Sequence, residues 1–209
     1  MAGDFEIGQL LSSRLCHDLI GAASAVSAGV ELLGEDGGDD IGALDLMRMS
    51  ASRLTARLSF FRAAFGVGGG RQGDLSFEEA HGLAMDWMAS GKVTLDWSET
   101  AAVGAPAPAV KALMVMVMIG EECLPRGGVL AVHVSTMPDG IGVAVQARGL
   151  GAVLRETTAA ALAEDCPAGK LSAHNIHAYY AQGLARQLGG VIEAATDADE
   201  IQLAAIFPA

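Results

Sequence analysis

The sequence predicts an α+β protein in which an N-terminal antiparallel helical hairpin precedes an α/β sandwich. Two long stretches with helical apolar periodicity flank a segment rich in Gly and Asp, residues 34–40, which favours a hairpin. The remainder alternates between helical and strand patterns, which indicates helices on one face of a mixed sheet. A second Gly-rich segment, 66–74, separates the two parts. We therefore predict a hairpin domain over 1–66 and a second domain over 74–209.

Each predicted hairpin helix carries an apolar stripe. The stripe of the first helix comprises Leu11, Leu15, Leu19, Ala22, Val26, Val30 and Leu33. The stripe of the second comprises Leu44, Met47, Ala51, Leu54, Leu58, Phe61 and Phe65, with heptad-like spacing. A hairpin of two helices buries both stripes poorly, whereas two copies together form a four-helix bundle. The pattern therefore predicts a homodimer through the hairpin.

The second domain is predicted to contain four helices and five strands. The helices cover 76–90, 107–124, 153–163 and 174–188, and the last is closed by the pair Gly189-Gly190. One strand covers 92–97. Two antiparallel hairpins cover 129–147, with the turn MPDG, and 191–207. This order predicts a sheet covered on one face by helices.

Composition and charge exclude several classes of function. Hydrophobic residues make up 51% of the chain, which suffices for a core. The formal charge of -12, with 25 acidic and 13 basic residues, disfavours nucleic acid and acidic membrane surfaces as partners. No signal peptide is recognised, and the most apolar run, 112–120, is far shorter than the roughly 20 residues of a membrane span. With three cysteines and no paired spacing, we expect reduced thiols in a cytoplasmic protein.

One histidine of the first helix points away from the core. His17 lies about 200° around the helix from the apolar stripe, which turns its imidazole toward solvent. An imidazole with an ordinary pKa near 6.5 is largely a neutral nucleophile at cellular pH. The adjacent Asp18 can hold one ring nitrogen and leave the other free, although consecutive helical residues do not normally face each other.

The segment around this histidine resembles the phosphoacceptor helix of histidine kinases. There a histidine, an acidic residue and a leucine precede an apolar helix that ends in ELL, and the matching segment here is LLSSRLCHDLIGAASAVSAGVELL, residues 10–33. The variant RLCHDL is similar to ChpT-type histidine phosphotransferases of alphaproteobacteria. That family has a dimerising hairpin followed by a degenerate kinase-like ATPase domain. One departure from the kinase pattern is Ala22, where kinases commonly carry Pro.

The second domain resembles a kinase ATPase domain that has lost its nucleotide ligands. By the resemblance, the asparagines for adenine and magnesium would fall at Val115 and Ile119, and the adenine-reading aspartate at Ala147. The segment LGGVIEA, 188–194, is similar to the kinase HGGRIEV, but SAHNIHAYY, 172–180, replaces the glycine-rich lid. Without these oxygens and glycines, Mg²⁺, adenine and phosphate lose their ligands. We therefore expect no ATP binding and no intrinsic cofactor or metal.

The resemblance implies a phosphorelay function. His17 would take a phosphoryl group from the aspartate of one receiver domain and pass it to another, with Mg²⁺ supplied by the receiver. Asp18 would assist as the second catalytic candidate. If the hairpin turns near Gly37, Arg57 lies level with His17. The predicted receiver-docking residues are Leu10, Ser13, Arg14, Ile20, Gly21, Ser24 and Arg57.

Three alternatives stay open from the sequence. The chain is a histidine kinase with an atypical ATP site, or a non-catalytic dimeric adaptor that binds receiver domains. The pair His174 and His177, three residues apart on one predicted helix, is a weaker candidate for a metal site, since no further ligand lies nearby.

Overall fold

The computed structural model has the α+β architecture that the sequence predicts, and it describes residues 3–33, 40–67, 75–100 and 104–208. The N-terminal helices are α1 (Asp4–Leu32) and α2 (Asp40–Phe65). The later helices are α3 (Phe77–Met88), α4 (Ala107–Glu122), α5 (Glu156–Leu162) and α6 (Ile176–Gln187). The strands are β1 (Val93–Thr100), β2 (Gly128–Met137), β3 (Gly140–Arg148), β4 (Ile192–Asp197) and β5 (Glu200–Pro208). We call α1 and α2 the hairpin, and residues 75–208 the C-terminal region.

The predicted turn around Gly37 and most of the linker 66–74 lie outside the described residues. The domain boundaries at 66 and 74 therefore stay predictions. The hairpin itself is present, because α1 and α2 pack side by side. Gly29 permits this close approach, since a side chain there would collide with Met47.

The five strands form one mixed sheet in the order β1-β2-β3-β5-β4. β1 and β2 are parallel and are connected through α4, whereas every other neighbouring pair is antiparallel. Alternate residues along the central strands are buried, among them Val132, Val143 and Val145. The helices pack on that buried face, which confirms the predicted sandwich.

Helix α4 occupies the centre of the C-terminal region. Every residue of the run 112–119 is at most 1% exposed, and Gly120 is buried too. Gly120 lets the end of α4 press onto the sheet, since a β-carbon there would lie 2.5 Å from Leu130 Cδ1. The two residues that follow, Glu121 and Glu122, leave this apolar environment at the boundary with the hairpin.

The hairpin leaves much of its predicted apolar stripes uncovered in the single chain. Leu44 is 53% exposed, Leu58 is 49% exposed and Val30 is 58% exposed. The C-terminal end of α2 differs, because Phe60 and Phe61 are buried against the C-terminal region. The homodimer stays a prediction, and these exposed leucines lie on the surface that it would cover.

One predicted helix begins later than the sequence suggests. The helix expected over 153–163 starts at Glu156, because the backbone N–H of Val153 donates to the carbonyl of Cys123 at 3.0 Å. This bond holds the preceding residues in an extended conformation beside the end of α4. Among the residues that the structure describes, no helix combines the length and the apolar character needed to cross a membrane.

Candidate functional site

The imidazole of His17 lies on the outer face of α1, where the helical phase places it. Its side chain is 71% exposed, so the ring is accessible to another protein. Nδ1 of His17 lies 3.2 Å from Oδ1 of Asp18. The neighbouring carboxylate therefore does reach around the helix, and it faces Nδ1 rather than Nε2.

Asp18 uses both of its carboxylate oxygens. Oδ1 faces His17, whereas Oδ2 accepts a hydrogen bond of 2.7 Å from Nε of Arg14, one helical turn earlier. The Asp18 side chain is only 13% exposed. A half-buried carboxylate bonded on two sides has little freedom to rotate, so it fixes the orientation of the imidazole.

Arg14 lies elsewhere than the sequence analysis predicts. We expected it on the solvent face as a docking residue, but it is 8% exposed and packs between α1 and the C-terminal region. Its Nη2 donates to Oε1 of Glu122 on α4, and its Nη1 donates to the carbonyl of His174 at 3.2 Å. The physical reason is that α1 packs against the C-terminal region as well as against α2. The C-terminal region covers the side of α1 that carries Arg14, although helical spacing alone predicts that this side faces solvent.

Glu122 and His177 continue this polar chain inward. His177 is fully buried, and its Nε2 lies 3.4 Å from Oε2 of Glu122, close enough for charge interaction but without hydrogen-bond geometry. Burial by itself would raise the pKa of Glu122. The contacts with His177 and Arg14 outweigh burial, so the pKa of Glu122 lies below its ordinary value. Glu122 is therefore ionised and holds Arg14 in place.

The adjacent Glu121 behaves in the opposite way. Its pKa is raised, first because burial penalises the carboxylate and second because the charge of Glu122 repels it. Arg57 and Arg14 oppose this effect but do not cancel it. Two consecutive glutamates thus have opposite pKa shifts at the boundary beneath His17.

Arg57 of α2 stands level with the histidine, as the hairpin geometry predicts. Its Nη1 donates to the backbone carbonyl of Asp18 at 2.6 Å, and its guanidinium carbon lies 5.0 Å from the ring centroid of Trp87. These contacts fix Arg57 beside the site. Whether Arg57 meets a receiver domain stays a prediction.

The two histidines of the C-terminal region do not share a site. The His174 ring is exposed and lies 6.0 Å from the His17 ring, centroid to centroid, in an edge-on arrangement, whereas His177 is buried beside Glu122. No group of three metal-ligating side chains assembles within the described ranges. His174 instead adds an imidazole from the C-terminal region to the surroundings of His17.

The remaining predicted docking residues line the exposed side of α1. Ser13, Gly21 and Ser24 are exposed, and Leu10 is half-buried. Ile20, at 64% exposure, places an uncovered apolar side chain three residues beyond His17. Small and apolar residues therefore surround the imidazole on its accessible side.

The positions to which the resemblance assigns the nucleotide ligands of kinases carry buried apolar side chains. Val115 and Ile119 are fully buried, and Ala147 is 1% exposed. A small cleft lies beside the end of α4. Ile119, Glu122, Cys123 and Leu154 are among its lining residues.

Sequence reasoning did not identify Glu122, and it named His177 only as a weak candidate for a metal site. Their partner Arg14 is more than 100 residues away along the chain, so no local spacing connects them. One signal was present, because two glutamates directly follow the apolar run of α4. A charged residue at the end of a buried helix requires a partner, and Arg14 provides it.

Comparisons with known proteins agree with this arrangement. Residues 77–200 match the family model of the histidine phosphotransferase C-terminal domain. The chain belongs to this family of histidine phosphotransferases. It is 32% identical, over 96% of its length and 95% of the relative, to the protein phosphotransferase ChpT of Brucella abortus (strain 2308).

A solved structure is also similar to this chain over nearly its whole length. A bacterial phosphotransferase structure at 1.7 Å is 31% identical, covers 98% of each chain and superposes with a TM-score of 0.87. A blue-light-activated histidine kinase domain from Erythrobacter litoralis is more distant, at 12% identity and a TM-score of 0.46 over 89% of this chain and 95% of the kinase domain. The family assignment therefore rests on the phosphotransferases.

Proposed function

We propose that this chain moves phosphoryl groups between receiver-domain aspartates through a phosphohistidine at His17. The observation that carries the proposal is the exposed imidazole whose Nδ1 faces the Asp18 carboxylate. This arrangement favours a proton on Nδ1 and an electron pair on Nε2. The family relationship to histidine phosphotransferases supports the same reaction.

The proposed step is an in-line displacement at phosphorus. Nε2 of His17 attacks the aspartyl phosphate of the donor receiver, an Nε2–P bond forms, and the P–O bond to the donor carboxylate breaks. The donor aspartate leaves as a carboxylate. The Nδ1–H of the resulting phosphohistidine faces Asp18, and a second receiver aspartate then takes the group by the reverse displacement. Positioning and charge neutralisation supply most of the catalysis.

The receiver domains are expected to dock on the exposed side of α1. Ile20 and Leu10 offer apolar contact, and Ser13, Gly21 and Ser24 allow close approach. The charge of -12 gives no long-range attraction to acidic receivers, so local shape decides recognition. The metal that neutralises the phosphoryl group belongs to the receiver, and this chain is expected to need none of its own.

We also propose that the protein works as a cytoplasmic homodimer without kinase activity. The uncovered leucines of α2 support a four-helix bundle with a second copy. The apolar residues at 115, 119 and 147 support the loss of ATP binding, because none can ligate magnesium or accept from adenine.

Transfer of label from a phosphorylated receiver tests the proposal directly. The wild type should take acid-labile label, His17→Ala should take none, and His133→Ala, which removes an exposed histidine from β2, should match the wild type. Label retained by His17→Ala would refute the site. Partner binding and signalling output that survive His17→Ala would instead identify an adaptor.

A second reaction tests the loss of kinase activity. The wild type incubated with ATP and magnesium, without any receiver or kinase, should take no label and show no nucleotide-induced thermal shift. Autophosphorylation of His17 under these conditions would identify the chain as a kinase with an atypical ATP site.

A further inference from the structure

A continuous polar chain connects the C-terminal region to the proposed phosphoacceptor. It runs from Glu122 to Arg14, from Arg14 to Asp18, and from Asp18 to Nδ1 of His17. Glu122 ends α4, whereas the other members belong to α1. The orientation of the accessible imidazole is thus coupled to a residue that lies outside the hairpin.

The geometry of Arg14 makes this coupling specific. Nε bonds to Asp18, Nη2 bonds to Glu122, and Nη1 bonds to the carbonyl of His174 just before α6. A planar guanidinium bonded on three sides cannot turn without breaking at least one bond. Two of the three partners come from the C-terminal region, and the third is the carboxylate that faces His17.

Glu122 is suited to hold Arg14, because it is ionised although mostly buried. Its side chain is 15% exposed, and its pKa is lowered by His177 and Arg14 against the opposing effect of burial. Among the described residues, removing Glu122 would leave Asp18 as the one carboxylate that forms an ion pair with the buried guanidinium. Arg14 would then be free to draw Asp18 away from the imidazole.

We infer that Glu122 is a positioning residue for phosphotransfer, acting through Arg14 to hold Asp18 against Nδ1 of His17. This inference rests on the proposed function. A neutral imidazole carries its proton on either nitrogen, and a proton on Nε2 blocks the attacking atom. Glu122 therefore sets the fraction of molecules in which Nε2 is free, although it touches no reacting atom.

Two substitutions at this position separate hydrogen bonding from mere packing. Glu122→Met keeps a side chain of similar length but removes both oxygens. Glu122→Gln keeps an oxygen that accepts from Nη2 of Arg14. We expect Glu122→Met to slow transfer from a phosphorylated receiver about tenfold or more, since small misplacements remote from the chemistry cost up to about a hundredfold. Glu122→Gln should stay within about threefold of the wild type.

The tautomer of His17 provides a readout that a purely structural role would not change. Ring-nitrogen NMR shifts of histidine-labelled protein, assigned with His17→Ala, report which nitrogen carries the proton. We expect His17 of the wild type to be protonated on Nδ1, and Glu122→Met to shift the population toward Nε2. The control Glu200→Gln removes an ion pair of 2.6 Å with Arg148 on the sheet, and should change neither transfer nor tautomer.

If Glu122→Met does not fold, Arg14→Lys tests the same coupling, because a single ammonium cannot bond to Asp18 and Glu122 with the guanidinium's geometry. Slower transfer together with a changed tautomer supports the inference. Wild-type transfer in these variants, or slower transfer with an unchanged tautomer, overturns it. Absence of label on the wild type would refute the proposed function, whereas label on the wild type with no effect of Glu122 would refute only this inference.

Discussion

The hairpin and the C-terminal region bury their apolar residues to very different degrees. In α4 every residue from 112 to 120 is enclosed by the sheet and neighbouring helices. In α2, by contrast, Leu44 and Leu58 are about half exposed although they belong to the same stripe as the buried Phe61. The main core is formed by the C-terminal region together with the end of α2 around Phe60 and Phe61, whereas the apolar stripe around Leu44 and Leu58 stays exposed in the single chain.

This difference in burial bears on where each part of the proposed function is located. Under the proposed function, the C-terminal region, whose residues 115, 119 and 147 are buried and apolar, contributes through the polar residues at its boundary with the hairpin. The exposed stripe of the hairpin is the surface proposed for a second copy, and the surroundings of His17 are the surface proposed for receivers. Substitutions in the two regions should therefore have different effects.

A polar side chain in the closed core should be strongly destabilising. Val115→Asn places at the centre of α4 the amide that the resemblance to kinases suggests for this position, but the site is fully buried. An unsatisfied buried amide costs about 1–3 kcal/mol, and the lost packing adds about 1 kcal/mol. We expect the free energy of unfolding, measured with urea, to fall by about 3 kcal/mol, without any gain of nucleotide binding.

The matched control is Ile206→Asn on the outer face of β5, where the side chain is 52% exposed. The free energy of unfolding of this variant should stay within about 0.5 kcal/mol of the wild-type value, as for other surface substitutions. Equal destabilisation by the two variants would contradict the closed-core description of α4.

Charges on the open face of the hairpin should break the dimer. In Leu44→Glu/Leu58→Glu, both carboxylates lie on the uncovered stripe of α2. Burying each leucine contributes about 1.5–3 kcal/mol, so the dissociation constant from sedimentation equilibrium should rise at least about a hundredfold. The unfolding of the C-terminal region should not change, because neither leucine contributes to its core.

Met49→Glu is the control for the dimer prediction. Met49 is 60% exposed but lies about 140° around α2 from Leu44. The dissociation constant of this variant should match that of the wild type. A wild type that sediments as a monomer at all concentrations would show that the exposed stripe serves another partner.

Local pattern was sufficient to predict most of the fold. Ser76 caps α3 as its position suggests, since its hydroxyl accepts from the N–H of Glu79. The β2–β3 hairpin follows from alternating residues on either side of Asp139-Gly140. The start of α5 could not be predicted, because the bond from Val153 to Cys123 connects residues 30 positions apart.

The candidate site could be predicted only in part. The phase of α1 turned His17 outward, because that depends on helical spacing alone. The same reasoning failed for Arg14, since its burial depends on α4 and α6, which pack against α1 only in the folded chain. The sequence therefore identified His17 as the candidate and Asp18 as its neighbour, but not the contacts of Arg14 with Glu122 and His174.

A buried polar side chain of the C-terminal region should contribute more to stability than a half-exposed one of the same type. Gln182 is 1% exposed and donates to the carbonyl of Leu162 at 2.6 Å, while its oxygen accepts from the N–H of Ile192 at 2.8 Å. Gln182→Met leaves these backbone groups unpaired, which should lower the free energy of unfolding by about 2 kcal/mol. The control Gln146→Met on β3 is half-exposed and should cost less than about 0.5 kcal/mol. Similar losses of unfolding free energy in the two variants would show that the buried hydrogen bonds of Gln182 add no stability.

The smallest changes in stability should come from substitutions of Glu121 and Glu122, at the boundary between the hairpin and the C-terminal region. The two changes should have opposite signs. The raised pKa of Glu121 means that the wild type is penalised at pH 7. Glu121→Gln should therefore be more stable than the wild type by about 1 kcal/mol or less. This advantage should disappear as the pH falls through the raised pKa toward 4.5, the ordinary value.

Glu122→Gln should be less stable than the wild type at pH 7 by about 1 kcal/mol, because the lowered pKa of Glu122 contributes stability in the ionised state. That contribution is lost as the pH falls below the ordinary value of 4.5, so the two curves should converge in acid. Urea unfolding from pH 7 to pH 3 measures both differences. Since the charge of Glu122 helps to raise the pKa of Glu121, the double variant should be non-additive. If the two single variants changed the free energy of unfolding with the same sign, burial alone would determine the pKa of both carboxylates. Arg14 would then not stabilise the ionised Glu122.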